Sequence, residues 1–498
     1  MTYTSAEPGS AQPGPAPQPA DGRVRRVRAA LVVLFPETPE RATPQPVPQS
    51  GPGHADAARS GGRWALYVAI QVAAVCIGTV VLLLRIPRIP AWDSLYAEDQ
   101  GVYLFDALAH PWHLLVPYGG YEELVPRLIG QLISYLPLVD AAVPFALAGA
   151  GIAALCALFI YHALDGWIQS RWLRALVGVT LILLPLAPIE PADSTVGCPW
   201  YAVTALFFGL LWRPKNWAGM TAAALVAFAA ASSEILAVVY APLVLLRVVA
   251  LPRWREQAVT AGWLTGLLVQ VPIVLESYAQ HTQRVTGLAS PIRSLGFYFH
   301  NVALRAFGWR VSVRLIEIVG LNSAALIVCA ILVAVFGLVL VTGSRQVRAF
   351  AAVALIMGFV QTIFAATIVR YVSGQHYSYN FEDGARYSVM PIMAMTAAVV
   401  VAVDACLRRQ AIAGGGGDRI PLVRQSPWAV AAVAGLACVL ALGWLSDYRY
   451  VTQRTSWGYW QPVAERMLTA CEHSTSGEIT TWTWGQSTIT IPCSELRR

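Results

Sequence analysis

The polar and apolar positions of this chain fall into long blocks instead of alternating at short range. Continuous apolar runs recur at 64–84, 141–163, 172–189, 199–212, 218–232, 235–251, 258–276, 322–343, 348–369, 387–407 and 427–445. A helix needs roughly 20 apolar residues to cross the hydrocarbon core of a bilayer, and most of these runs approach that length. The pattern predicts an all-α polytopic membrane protein with about 11 transmembrane helices. The pieces between 199 and 251 are the weakest, because they are short and Ser232, Ser233 and Glu234 interrupt them.

The segments between the runs divide the chain further. Residues 1–62 are rich in Pro, Gly, Ala and Ser, bury too little apolar surface to fold, and read as a disordered cytoplasmic tail. Within them, Val24 to Phe35 is an arginine-flanked apolar run of the kind suited to a membrane surface. Residues 63–446 form the multi-span domain, with long polar loops at 85–140, 277–321 and 370–386. In the first loop, Val102–Leu108 and Leu124–Leu136 carry amphipathic helix spacing, which predicts helices lying apolar side down on the membrane. Residues 447–498 read as a small α/β tail. A helix is expected from Val463 to Cys471, and strand alternation from Glu478 to Trp484 and from Ser487 to Ile491 predicts a hairpin around Gly485.

Composition agrees with membrane residence. Hydrophobic residues make up 56% and charged residues 13% of the chain, against about 25% charged in a soluble domain. The net charge of +7 is almost all arginine, with Lys215 the only lysine, and nothing resembles a nucleic-acid-binding surface. The arginines instead set orientation. Arg23, Arg25, Arg26, Arg28, Arg59 and Arg63, then Arg171 and Arg174, Arg213 and Lys215, Arg247, Arg253 and Arg255, Arg345 and Arg348, and Arg408 to Arg424 fall on one side. The alternate loops hold Asp93, Glu98, Asp99, Asp106, Glu122, Glu123, Glu190, Asp193 and Glu234. This places the protein in the plasma membrane as a multi-pass chain, N-terminus cytoplasmic and C-terminus extracytoplasmic; the loop from Arg284 to Arg314 is the exception to the alternation. The first apolar run starts late and is long, so a cleaved signal peptide is not expected. Six cysteines lie in or beside the runs as small core residues, while Cys471 and Cys493 bracket the tail hairpin. In an oxidising compartment these two are expected to form a disulfide.

Candidate chemistry concentrates in the outer loops. The first reads AWDSLYAEDQGVYLFDALAHPWHLLVPYGGYEELVPRLIGQL and places Asp93, Glu98 and Asp99 directly after the first run, among Tyr96, Tyr103 and Phe105. Carboxylates resist burial in lipid, so they belong in water or in a protein-lined cavity at the membrane face. The plain alternative is that they are solvated loop acids or helix caps. Arg127 follows Pro126 on the same loop, Arg370 opens the loop RYVSGQHYSYNFEDGARYSVMP, and Arg386-Tyr387 closes it. Guanidinium groups suit phosphate through a two-pronged contact, although Arg and Tyr are also ordinary interfacial anchors. His376 in that loop is a candidate phosphate ligand or base. Glu234, between two short runs, is a substrate-binding candidate because acids at membrane depth are usually functional; a polar helix break tied to Ser232 and Ser233 is the alternative. Trp112, Trp200 and Tyr201 are candidate sugar-stacking rings.

With these residues on the page, the chain resembles the GT-C-type integral-membrane glycosyltransferases, in an actinobacterial-like form. Glu98-Asp99 looks like their acidic pair in the first outer loop, and Tyr118 to Leu128 looks like an aromatic-Gly-aromatic turn before Val-Pro-Arg in such transferases. The resemblance is architectural and its motif is short. It implies a membrane glycosyltransferase that moves a sugar from a polyprenyl-phosphate donor to a cell-envelope glycan, lipid or protein at the outer face. Asp93 or Glu98-Asp99 then supply a base for the acceptor hydroxyl. Arg386 with Arg370, or a divalent metal (Mg or Mn) on Glu98 and Asp99, offsets the charge of the departing phosphate. The expected partners are the lipid-linked donor, the envelope acceptor and membrane lipids. Two other classes compete. A transporter or flippase for a lipid-linked saccharide calls for mid-span ionisable residues and internal repeats; the sequence has few of the former and no clear repeat. A non-catalytic envelope assembly protein would use the tail as a contact surface.

Overall fold

The computed structural model describes residues 22–37, 54–184, 194–280, 295–365, 385–413, 435, 438–439, 441–443, 445–449, 458–482 and 488–497. Its helices are α1 (Gly22–Leu31), α2 (His54–Leu83), α3 (Phe105–Ala109), α4 (Leu124–Ile133), α5 (Ala142–Ala163), α6 (Arg171–Leu183), α7 (Cys198–Leu211), α8 (Trp217–Ser233), α9 (Ala241–Ala250) and α10 (Ala258–Gln280). They continue as α11 (Trp309–Val319), α12 (Leu321–Thr342), α13 (Arg345–Phe364), α14 (Val389–Ala413), α15 (Trp460–His473) and α16 (Cys493–Leu496). The strands β1 (Glu478–Trp482) and β2 (Thr488–Pro492) pair antiparallel, Glu478 opposite Pro492 and Trp482 opposite Thr488.

Among the described residues, six helical segments are long and apolar enough to cross a membrane: Trp64–Leu83, Leu138–Ala163, Trp254–Ser277, Leu321–Val341, Arg345–Phe364 and Arg386–Arg408. The runs expected at 172–189, 199–212, 218–232 and 235–251 form shorter helices among the described residues. At 1.5 Å per residue, the 14 residues of α7 span about 21 Å, short of a core about 30 Å thick. Most of 427–445 lies outside the described residues.

Helix packing relies on small side chains. Without a hydrophobic force between helices in lipid, close backbone approach supplies the contact. Gly262 and Gly266 of α10 face α8 so closely that a Cβ at Gly262 would fall 2.1 Å from the Ala224 carbonyl oxygen. One at Gly266 would fall 2.7 Å from the Ala231 methyl. Gly130 seats α4 on the wide helical turn Asp99–Leu104, where an added Cβ would sit 2.6 Å from the Tyr103 carbonyl oxygen.

Two expectations about the loops and tails are corrected. Val102–Leu108 is not a surface helix: Val102, Tyr103, Leu104, Phe105 and Leu108 are buried in a core shared with Trp460, Met467, Ile491 and Leu496 of the tail. The C-terminal segment covers the side of that stretch expected to face water, and the Trp460 indole donates to the Leu138 carbonyl at 2.7 Å. Cys471 and Cys493 are joined, Cα atoms 5.5 Å apart, and both sit in this core. Nor is the segment 1–62 structureless throughout. Residues 22–34 are helical, and α2 begins at His54. Phe35 is fully buried, with the Arg247 guanidinium 5.7 Å over its ring. Arg213 ties the segment down through the Phe35 carbonyl and Glu37. Arg247 itself is buried and donates to the carbonyls of Leu210, Trp212 and Glu256, meeting the unpaired end of α7.

Candidate functional site

The first loop folds back into the helix bundle through a tight turn. Tyr118 and Tyr121 pair backbone to backbone, N to O at 2.8 and 3.3 Å. Gly119 and Gly120 between them have φ of +60° and +92°. A two-residue turn with positive φ at both centres strains any side chain with a Cβ, which is why Gly-Gly occupies it. The two acids that follow are fastened to the α8–α10 pair. The Gln270 side-chain amide accepts from the Glu122 N–H at 2.9 Å and donates to the Glu122 carbonyl at 2.6 Å. The Ser233 hydroxyl accepts from the Val125 N–H at 3.0 Å. The close α8–α10 contact thus fixes Glu122 and Glu123 beside Glu234, the residue that ends α8.

Glu123 is buried, and its carboxylate accepts from the hydroxyls of Tyr103 and Tyr121. Burial raises its proton affinity; those phenols and the charges of Arg127 and Arg386 pull it back. Glu122 is also buried, and burial pushes it up to about 8 despite Arg127. Arg127 lies 3.0 Å from Asp106 and 3.7 Å from Glu122, so it is engaged under the loop. Tyr118 donates to Glu98 at 3.4 Å, and both burial and the Glu98 charge raise the phenol's proton affinity, with Arg386 opposing.

Arg386 lies at the start of the apolar segment Arg386–Arg408. Its guanidinium carbon lies 5.9 Å from the Trp200 ring centre and 5.6 Å from that of Tyr387. Trp200 and Tyr387 meet edge to face at 4.8 Å, and both are buried. The charge of Arg386 acts on Tyr118, Tyr121, Glu123 and Glu234. Glu98, Glu123, Glu234, Arg386 and Tyr387 therefore belong to one neighbourhood, in which Tyr118 feels the charges of both Glu98 and Arg386.

Asp93 is exposed on the short turn Ala91–Asp93. Asp99 is fully buried and accepts from the Ser194 hydroxyl at 2.7 Å, from the Thr195 N–H at 3.1 Å and from the Thr195 hydroxyl. Arg370 and His376 lie outside the described residues. Among the described residues no three His, Cys, Asp or Glu side chains gather as a metal would need. Both Asp99 oxygens already accept from donors. Sequence reasoning assigned no role to Glu123, Tyr118, Tyr121 or Gln270. The pair Glu122-Glu123 directly after an aromatic Gly-Gly turn was the available signal. Gln270 gave none, because a lone glutamine in an apolar run reads as an interruption.

No family model, no curated protein and no solved structure matches this chain.

Proposed function

We propose that the protein is a plasma-membrane glycosyltransferase that takes a sugar from a polyprenyl-phosphate donor and passes it to a hydroxyl of a cell-envelope glycan, lipid or protein. The observation that carries the reading is Arg386 held against Trp200 and Tyr387 in one neighbourhood with Glu98, Glu123 and Glu234. A guanidinium backed by aromatic rings suits a lipid phosphate, and the acids suit a hydroxyl that must lose its proton. The rings offer a flat apolar face to a sugar. The proposal includes about eleven crossings, a cytoplasmic N-terminus and an extracytoplasmic tail, so that the acids open outward.

A transporter of a lipid-linked saccharide is the second reading. What favours it is the burial of Glu122, Glu123 and Glu234, since buried acids in a membrane protein also serve as proton relays. One assay separates the two. Membranes containing the full chain are given radiolabelled polyprenyl-phosphate sugars and an envelope fraction. Label appearing in the envelope fraction, and lost in Arg386→Lys, supports the transferase. Label that changes leaflet without leaving its lipid supports the transporter.

A further inference from the structure

The geometry points to Glu234 as the group that receives the acceptor hydroxyl, an inference that rests on the transferase reading above. Three of the other acids around the site are already occupied. Asp99 accepts from three donors, Glu123 from two phenols and Glu98 from Tyr118. The Glu122 oxygens are buried without a hydrogen-bond partner among the described residues, but the Arg127 guanidinium lies 3.7 Å away and answers that carboxyl. Glu234 has no such ion pair among the described residues. It is fully buried, and its Oε1 accepts from the Leu236 N–H at 3.2 Å, which caps the helical turn Ile235–Tyr240 and fixes the carboxyl plane. Among the described residues its Oε2 is buried with no hydrogen-bond partner. A buried acceptor without a donor costs free energy, so the bare oxygen selects a ligand group that brings its own hydrogen.

The neighbouring charges decide which group that is. Arg386 and Glu123 both act on Glu234. A phosphate is drawn to the guanidinium, so it belongs at Arg386. A sugar or lipid hydroxyl is neutral, donates one hydrogen, and fits Oε2. With the hydroxyl there, the step balances without any further reactant. The acceptor oxygen forms the new bond to the anomeric carbon as its proton passes to Glu234 Oε2. The bond from the anomeric carbon to the phosphate oxygen breaks, and its electron pair leaves with polyprenyl phosphate, whose charge faces Arg386. Glu234 then returns its proton to water.

The test uses the full chain in lipid nanodiscs, with polyprenyl-phosphate [14C]mannose, glucose and arabinose as separate donor probes and polyprenyl phosphate as the binding probe. Glu234→Gln should lower transfer about 100-fold or more, the usual range for losing a general base, while polyprenyl phosphate binding stays within about twofold of wild type. Should Glu234→Gln fail to reach the membrane, Glu234→Asp decides: it keeps the charge but draws back the bare oxygen, and it should slow transfer with unchanged binding and unchanged thermal unfolding. Wild-type transfer in either variant, or an equal loss of binding and transfer, overturns the role of Glu234 while leaving the transferase reading intact. A wild-type protein that neither transfers from any donor nor binds polyprenyl phosphate removes the transferase reading, and this inference with it.

Discussion

Glu122 holds its proton to about pH 8 because burial outweighs the nearby Arg127. An ordinary glutamate titrates near 4.5, so between these values the folded chain binds a proton that the unfolded chain releases. Stability from this group is fully present below pH 4.5 and is lost as pH rises through 8. The thermal midpoint in detergent should therefore fall between pH 5 and 9, and Glu122→Gln should flatten that fall; an unchanged slope would put the cause elsewhere. The turn before it gives a second expectation. Gly120→Ala forces a Cβ into a left-handed backbone, at a cost of about 1–2 kcal/mol, visible as a lower unfolding midpoint and weaker transfer together. These residues show where reading a sequence stops. Glu98-Asp99 stands out after the first span, yet Asp99 turns inward to Ser194 and Thr195, which lie 95 and 96 residues away. Only the tertiary contact reveals that its lone pairs are taken.

Elements were legible where their period was undisturbed. The tail hairpin followed from alternation, and its bracketing cysteines from their placement, because both signals are local. Val102–Leu108 was misread because the surface that covers it comes from Trp460, Met467 and Ile491, far along the chain. The short helices α7, α8 and α9 carry the apolar signal of spans at a shorter length than the six longest segments described. The α8–α10 seam supports a sharp test. Gly262→Val places a branched side chain against the Ala224 backbone, and overpacking of this kind costs about 1–3 kcal/mol. It should also loosen Gln270 and Ser233 from the acidic turn, so transfer should fall more than stability alone explains; Gly337→Val, where nothing lies within 4 Å, is the control. In the tail, Cys471→Ser opens a link that spans 22 residues, worth about 3 kcal/mol by loop closure, and should make the tail the first segment cut in limited proteolysis.

At the scale of the whole molecule, the tail and the first loop share one core, which places them on the same side of any membrane the helices cross. Topology reporters test the proposed direction: one fused after Leu445 should read outside the cytoplasm, and one within 411–419 should read inside. A cytoplasmic tail would move the acids to the wrong face for an envelope acceptor. The membrane character was plain from composition and block pattern. The run from Val24 to Phe35 stood out from its loose surroundings, but its anchor, one phenylalanine seated under Arg247, gave no signal in the sequence.

The shared core also sets a timetable. Leu138 and Trp460, which hydrogen-bond across it, lie 322 residues apart. At about 5–20 residues per second, a ribosome needs roughly 15–65 s to go from one to the other. For that interval Phe105 and Leu108 have no lid, and the newly made loop is a target for chaperones and proteases. Chains stalled before residue 460 should be degraded from this loop first, a pattern that pulse-chase with mapped fragments would show.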